Sequence, residues 1–158
     1  MNQQEQIGNG AIRSRHLRTG DSAKLKHTQV SMATVTTTGN TDKFMIAPVT
    51  GTLTELVFSA VDALAAHDTN YVTFSAVNLG QAGSGNTNML DTGNANTTKA
   101  TGGSALAANT KRTLTLHGTA ANLSVVKGDR IGIRVAASGT LANTLTYPEF
   151  LATFAFTS

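Results

Sequence analysis

Apolar and polar residues alternate with a period of two along several short stretches of the chain, and a helical period is nowhere sustained. In residues 27–36, His-Thr-Gln-Val-Ser-Met-Ala-Thr-Val-Thr, Val30 and Met32 share one face and Gln29, Ser31 and Ala33 the other, as in a half-buried strand. Residues 38–42 carry turn chemistry, and 43–47 predict a short strand ended by Pro48. The run 52–61 is ambiguous: Leu53, Val57 and Val61 suit one face, Leu56, Phe58 and Ala60 the other. A strand covered on both sides is expected there. Alternation returns at 71–79, with Val72, Phe74 and Ala76 opposed to Tyr71, Thr73 and Val77, and again at 111–117. In 129–136, Ile131, Ile133 and Val135 point inward while Arg130, Gly132 and Arg134 point outward. In 149–156, Phe150, Phe154 and Phe156 mark one face, broken at Ala152.

The segments between these runs are rich in Gly, Asn, Thr and Ser. Residues 62–70 predict a loop with one helical turn. A structureless loop across 80–110 would be unusual in a compact domain, so short strands are expected around 88–90 and 96–100. Seven to nine short strands in 158 residues describe a single all-β domain, a β-sandwich of jelly-roll type. Aromatic residues make up only 5% of the chain and Trp is absent, so the core falls to Val, Leu, Ile, Ala and a few Phe. Ahead of the sandwich, residues 1–26 have sparse apolar residues (Ile7, Ile12, Leu17, Leu25) set among glycines and polar groups. The expected organisation is an extended basic arm over 1–26 and a sandwich over 27–158.

Charge sharpens this division. The net charge of +3 is carried by the first thirty residues, where Arg13, Arg15, Arg18, Lys24 and Lys26 outnumber Glu5 and Asp21; the remainder is balanced. With no cysteine, disulfides and thiolate metal sites are excluded. The opening Met-Asn-Gln-Gln-Glu-Gln lacks the apolar stretch of a secretory leader, and no run approaches the length that spans a bilayer. The expectation is a chain folded in the cytoplasm with no membrane partner.

Candidate chemistry is thin. His16, His27, His67 and His117 are scattered without ligand spacing, and the seven acidic residues outside the arm stand singly. Gly83-Ser-Gly85 lacks the spacing of a nucleophile elbow, and there is no phosphate-cradling loop. The oxygen-rich stretch of Asn86, Asn88, Asp91, Asn94 and Asn96 has one carboxylate and reads as turn-forming asparagine. Neither an enzyme nor a cofactor or metal site is expected. The basic cluster lacks aromatics to stack on bases, which disfavours nucleic acid and points to docking on an acidic protein surface. The expected contact residues are Ile7, Ile12, Arg13, Arg15, Leu17, Arg18, Lys24 and Lys26.

The phrase Gly10-Ala-Ile-Arg-Ser-Arg-His-Leu17 resembles linker segments of phage fibres, and Lys127-Gly-Asp-Arg-Ile131 resembles the turn before an inner strand of virion jelly rolls. Together with the Thr/Ala/Gly-rich sandwich, these make the chain similar to capsid decoration (cement) and head- or tail-fibre proteins of tailed bacteriophages. The resemblance implies a homotrimeric virion surface protein, made in the host cytoplasm, that binds the major capsid protein with its arm over neighbouring subunits. A fibre or receptor-binding head domain is the alternative it implies.

Overall fold

A computed structural model describes residues 24–156. Nine strands form two antiparallel sheets: β1 (Lys24–Ser31), β2 (Gly39–Ile46), β3 (Gly51–Ser59), β4 (Tyr71–Asn78), β5 (Thr87–Asn88), β6 (Arg112–Thr113), β7 (Ser124–Val125), β8 (Arg130–Ser138) and β9 (Glu149–Phe156). The first sheet runs β1-β9-β3-β6, with β7 also pairing β3, and the second runs β2-β8-β4-β5. Apart from β7, each strand of the chain's first half lies beside one of its second half or, at the middle, beside its hairpin partner. The pairs are β1 with β9, β2 with β8, β3 with β6 and β4 with β5. This wrapping is that of a jelly roll and agrees with the all-β sandwich expected from the sequence.

The core forms where the inner faces of the two sheets meet. Leu53, Leu56 and Phe58 of β3 and Phe150, Ala152 and Phe154 of β9 face Val72, Phe74 and Ala76 of β4 and Ile131, Ile133 and Val135 of β8. Phe58, Phe74 and Phe150 meet at its centre, with ring centroids 4.7 Å, 5.1 Å and 6.3 Å apart in tilted and edge-on arrangements. Ala152 continues the inner face of β9, so the small residue does not break it.

Several local expectations are corrected. The double pattern of β3 arises from a bulge: pairing with β9 shifts between Leu53 and Glu55, which turns Leu53, Leu56 and Phe58 all inward. Val57 then faces outward, yet is buried against the rest of that sheet. β2 starts at Gly39, ahead of Lys43, because residues 39–42 pair with β8 from Ala137 to Arg134. Residues 62–70 form no helical turn; Leu64 instead bridges Leu106 and anchors the loop by backbone bonds in both directions. Around 96–100, Asn94–Asn96 is a 3₁₀ turn and Thr97 makes a single bridge to Thr73. No helix among the described residues is long and apolar enough to cross a membrane.

Candidate functional site

Of the contact residues expected from sequence, Ile7, Ile12, Arg13, Arg15, Leu17 and Arg18 lie outside the described residues. Lys24 and Lys26 lie in β1, opposite Phe156 and Phe154 of β9, and both are exposed. β1 is the outer strand of its sheet, and these lysines share the parity of the half-buried Thr28 and Val30. Charge placed on that side of an edge strand discourages pairing with a foreign strand.

The histidines hold local structure. His67 Nδ1 accepts the backbone N–H groups of Thr69 and Asn70, and His117 Nδ1 accepts that of Thr119, each bond 3.0 Å long. On the outer face of the first sheet, His27 Nδ1 lies 3.0 Å from Thr153 Oγ1, which donates to Glu55 Oε2 at 3.5 Å. Here the hydroxyl stands between imidazole and carboxylate, an order that leaves the imidazole without an acidic orienting partner. No group of three His, Asp or Glu residues among those described could hold a metal ion.

The oxygen-rich stretch is engaged in its own loop. Asp91 Oδ1 accepts the Gly93 N–H, and the buried Asn96 side chain donates to the carbonyls of Asp91 and Thr115 while accepting the Thr115 N–H. Nearby, Arg112 donates to the carbonyls of Ala95, Thr97 and Ser104 and sits 5.3 Å from the Phe74 ring centroid. Its guanidinium, pushed below its ordinary pKa by burial, ties the loop to the sheet beside a hollow of about 440 Å³.

The outer face of the second sheet has a different character. Alternation on β8 sends Arg130, Gly132 and Arg134 outward, and register sets Phe44 of β2 and Val77 of β4 on either side of Gly132. With no side chain at Gly132, Leu79 and Phe44 close over its backbone. The result is a shallow apolar concavity of about 380 Å³, lined by Phe44, Ser75, Val77, Leu79, Gly132 and Arg134. Its margins are charged. Arg134 donates to both carboxylate oxygens of Asp42, Nε to Oδ1 at 2.6 Å and an Nη to Oδ2 at 3.0 Å, while Arg130 lies 5.0 Å from the centre of the Phe44 ring.

Phe44 and Ile46 are each 51% exposed, a large apolar area to leave in water on one strand. Sequence reasoning missed this site. Its signal was the glycine set between two arginines on an otherwise regular strand, a position that leaves room for a neighbour's large side chain. No protein-family model, curated protein or solved structure matches the chain.

Proposed function

We propose that this chain is a structural virion protein that decorates a phage capsid, binding the major capsid protein and copies of itself rather than catalysing a reaction. The observation that carries the reading is the outer face of the second sheet. Phe44, Val77 and Leu79 form an apolar centre over Gly132, and the Arg134–Asp42 pair and Arg130 border it. Aromatic and arginine side chains around a desolvated centre are the composition that dominates binding energy at protein interfaces. The jelly-roll order supports the same reading through the resemblance to virion proteins, and the basic segment 1–26 adds charge for an acidic shell.

In this reading the Phe44 face is the contact between copies, closing as a homotrimer, and the assembled protein sits on the capsid surface. Sedimentation of the purified chain and of Phe44→Ser tests it, together with binding of both to empty heads that lack the protein. A wild-type trimer that decorates heads, with a variant shifted toward monomer, is the expected result. A monomeric wild-type chain that leaves the heads bare overturns it.

A fibre or receptor-binding head domain has one observation in its favour. Tyr147 is 80% exposed on a backbone with φ of 48°, a conformation that side-chain-bearing residues adopt only where the fold imposes it. Tyr71 is less suited to stacking, since Lys99 Nζ sits 4.7 Å from its ring centroid. Retention of the chain on a carbohydrate array, lost in Tyr147→Ala, separates this reading from the first.

A further inference from the structure

The two ends of the sandwich differ in charge. Strand directions put Lys24–Lys26, the β2–β3 connection, the loop after β4, the turn before β8 and the end of β9 at one end. That end carries Lys24, Lys26, Lys127 and Arg130, all exposed, and no carboxylate lies within ion-pair distance of any of them among the described residues. Its one acidic residue, Asp129, is buried, with Oδ2 accepting from Asn78 Nδ2 at 3.0 Å and from the Val126 N–H at 2.8 Å. At the opposite end Lys99, Lys111 and Arg112 form no ion pair among the described residues either, but Asp62, Asp68 and Glu149 balance them in number. The described residues thus form a body polarised along its long axis.

The same end presents apolar groups on a rigid support. Leu25, Ile46 and Val126 are 56%, 51% and 52% exposed. Val126 and Lys127 belong to a tight turn closed by the Asp129 N–H bonding to the Val126 carbonyl, with Gly128 at φ +94°, where a side chain would be strained. Four hydrogen bonds to three neighbours fix this turn. Lys127 N–H donates to Thr50 Oγ1, Gln81 Nε2 donates to the Lys127 carbonyl, Gly128 N–H donates to the Ala47 carbonyl, and Asp129 accepts the Ala47 N–H. The backbone is held on all sides while the Val126 and Lys127 side chains face water, so little ordering remains to be done on binding.

We propose that this end, centred on the turn Val126–Asp129, docks end-on against an acidic protein surface, with Val126 as the apolar anchor at the tip, Ile46 and Leu25 on its two flanks, and Lys24, Lys26, Lys127 and Arg130 beside them. The inference rests on the binding role proposed above and adds which surface faces the partner and what chemistry the partner offers. Unbalanced cations on an otherwise neutral body call for an acidic partner, and the apolar anchors among them call for one with pockets, hence a folded protein. Nucleic acid is less well served, because of the two aromatic rings near this end Phe156 is only partly exposed beside Lys24 and Phe44 already has Arg130 over it.

The test uses the full chain, a variant with Lys24→Glu and Lys127→Glu, and a control with the same charge change at the other end, Lys99→Glu and Lys111→Glu. Binding is measured to immobilised poly-L-glutamate, to duplex DNA and to phosphatidylglycerol vesicles across a salt series. The first variant should lose about tenfold in affinity for poly-L-glutamate at low salt and the control less than about twofold. Equal losses in both variants, or none in the first, overturn the proposal; so does tighter capture by DNA or vesicles that the first variant abolishes. Val126→Ser adds an uncharged readout and should release faster from empty heads with little change in association rate. If the polyglutamate pattern holds but the heads stay bare, the capsid reading fails and the cationic end stands. If the first variant decorates heads as wild type does, the cationic end fails and the capsid reading stands.

Discussion

Leu79 lies so close over Gly132 that a methyl group added to the glycine would sit 3.2 Å from Leu79 Cδ1 and 3.7 Å from Phe44 Cε1. The atom it would meet first is the end of a flexible, half-buried side chain, which can swing away. Gly132→Ala should therefore change the thermal stability by less than about 1 kcal/mol. It should still disturb the apolar centre and weaken self-association. Paired thermal melts and sedimentation runs check both halves, and a variant that is stable yet more dissociated is the expected outcome.

Arg112 fastens the 95–104 loop to the strand edge through three carbonyls. Arg112→Ala should cost about 1–2 kcal/mol in chemical denaturation, since those acceptors lose charged donors. Arg112→Lys should recover little of it, because a single ammonium cannot reproduce a planar fork.

Asn96 makes three hydrogen bonds at 1% exposure, so Asn96→Ala should destabilise by about 2–3 kcal/mol. Asn96→Asp should be worse, because it turns a carboxylate oxygen toward the carbonyls of Asp91 and Thr115. With these groups engaged internally, calcium or a chelator should leave the melting temperature of the wild-type chain unchanged.

Asp62 accepts from the Thr146 hydroxyl and, at 2.6 Å, from its backbone N–H, which hold its carboxyl below the usual value of 3.8. Asp68 is lowered in the same way by the Thr101 N–H and hydroxyl. A depressed folded pKa gives stabilisation that is complete above 3.8 and disappears as pH falls through the lower folded value. Protection of the Thr146 and Thr101 amides, taken relative to their intrinsic exchange rates at each pH, should therefore fall on acidification below about pH 4. In Asp62→Asn the Thr146 response should vanish while that of Thr101 persists.

The long strands were legible because each has one wet and one dry face: Ile131, Ile133 and Val135 against Arg130 and Arg134, or Val72, Phe74 and Ala76 against Thr73 and Ser75. β3 was legible only as a conflict of two registers, since its bulge is fixed by β9, a hundred residues away. Asn96 carried no local sign of burial, as two of its three hydrogen bonds go to Thr115 and the third to the carbonyl of Asp91. The Phe44 face was hidden for the same reason. An apolar residue on an outward parity looks ordinary until pairing sets it beside Gly132 and Val77. The sequence drew attention to the arm, and of its named contacts only Lys24 and Lys26 fall among the described residues, in an edge strand.

The partnership of β1 with β9 joins residues far apart in the chain, 126 positions in the case of His27 and Thr153. Closing so long a loop carries an entropic cost that nearby contacts must first offset, so this sandwich should fold on the slow side for its size. During synthesis, β1 waits with an open edge until the last strand emerges, and the lysines along it would discourage mispairing in that interval. A chain cut short before residue 149 has no partner for β1 and loses Phe150 from the aromatic centre. Whatever the folded sandwich binds is then open only to chains that carry β9.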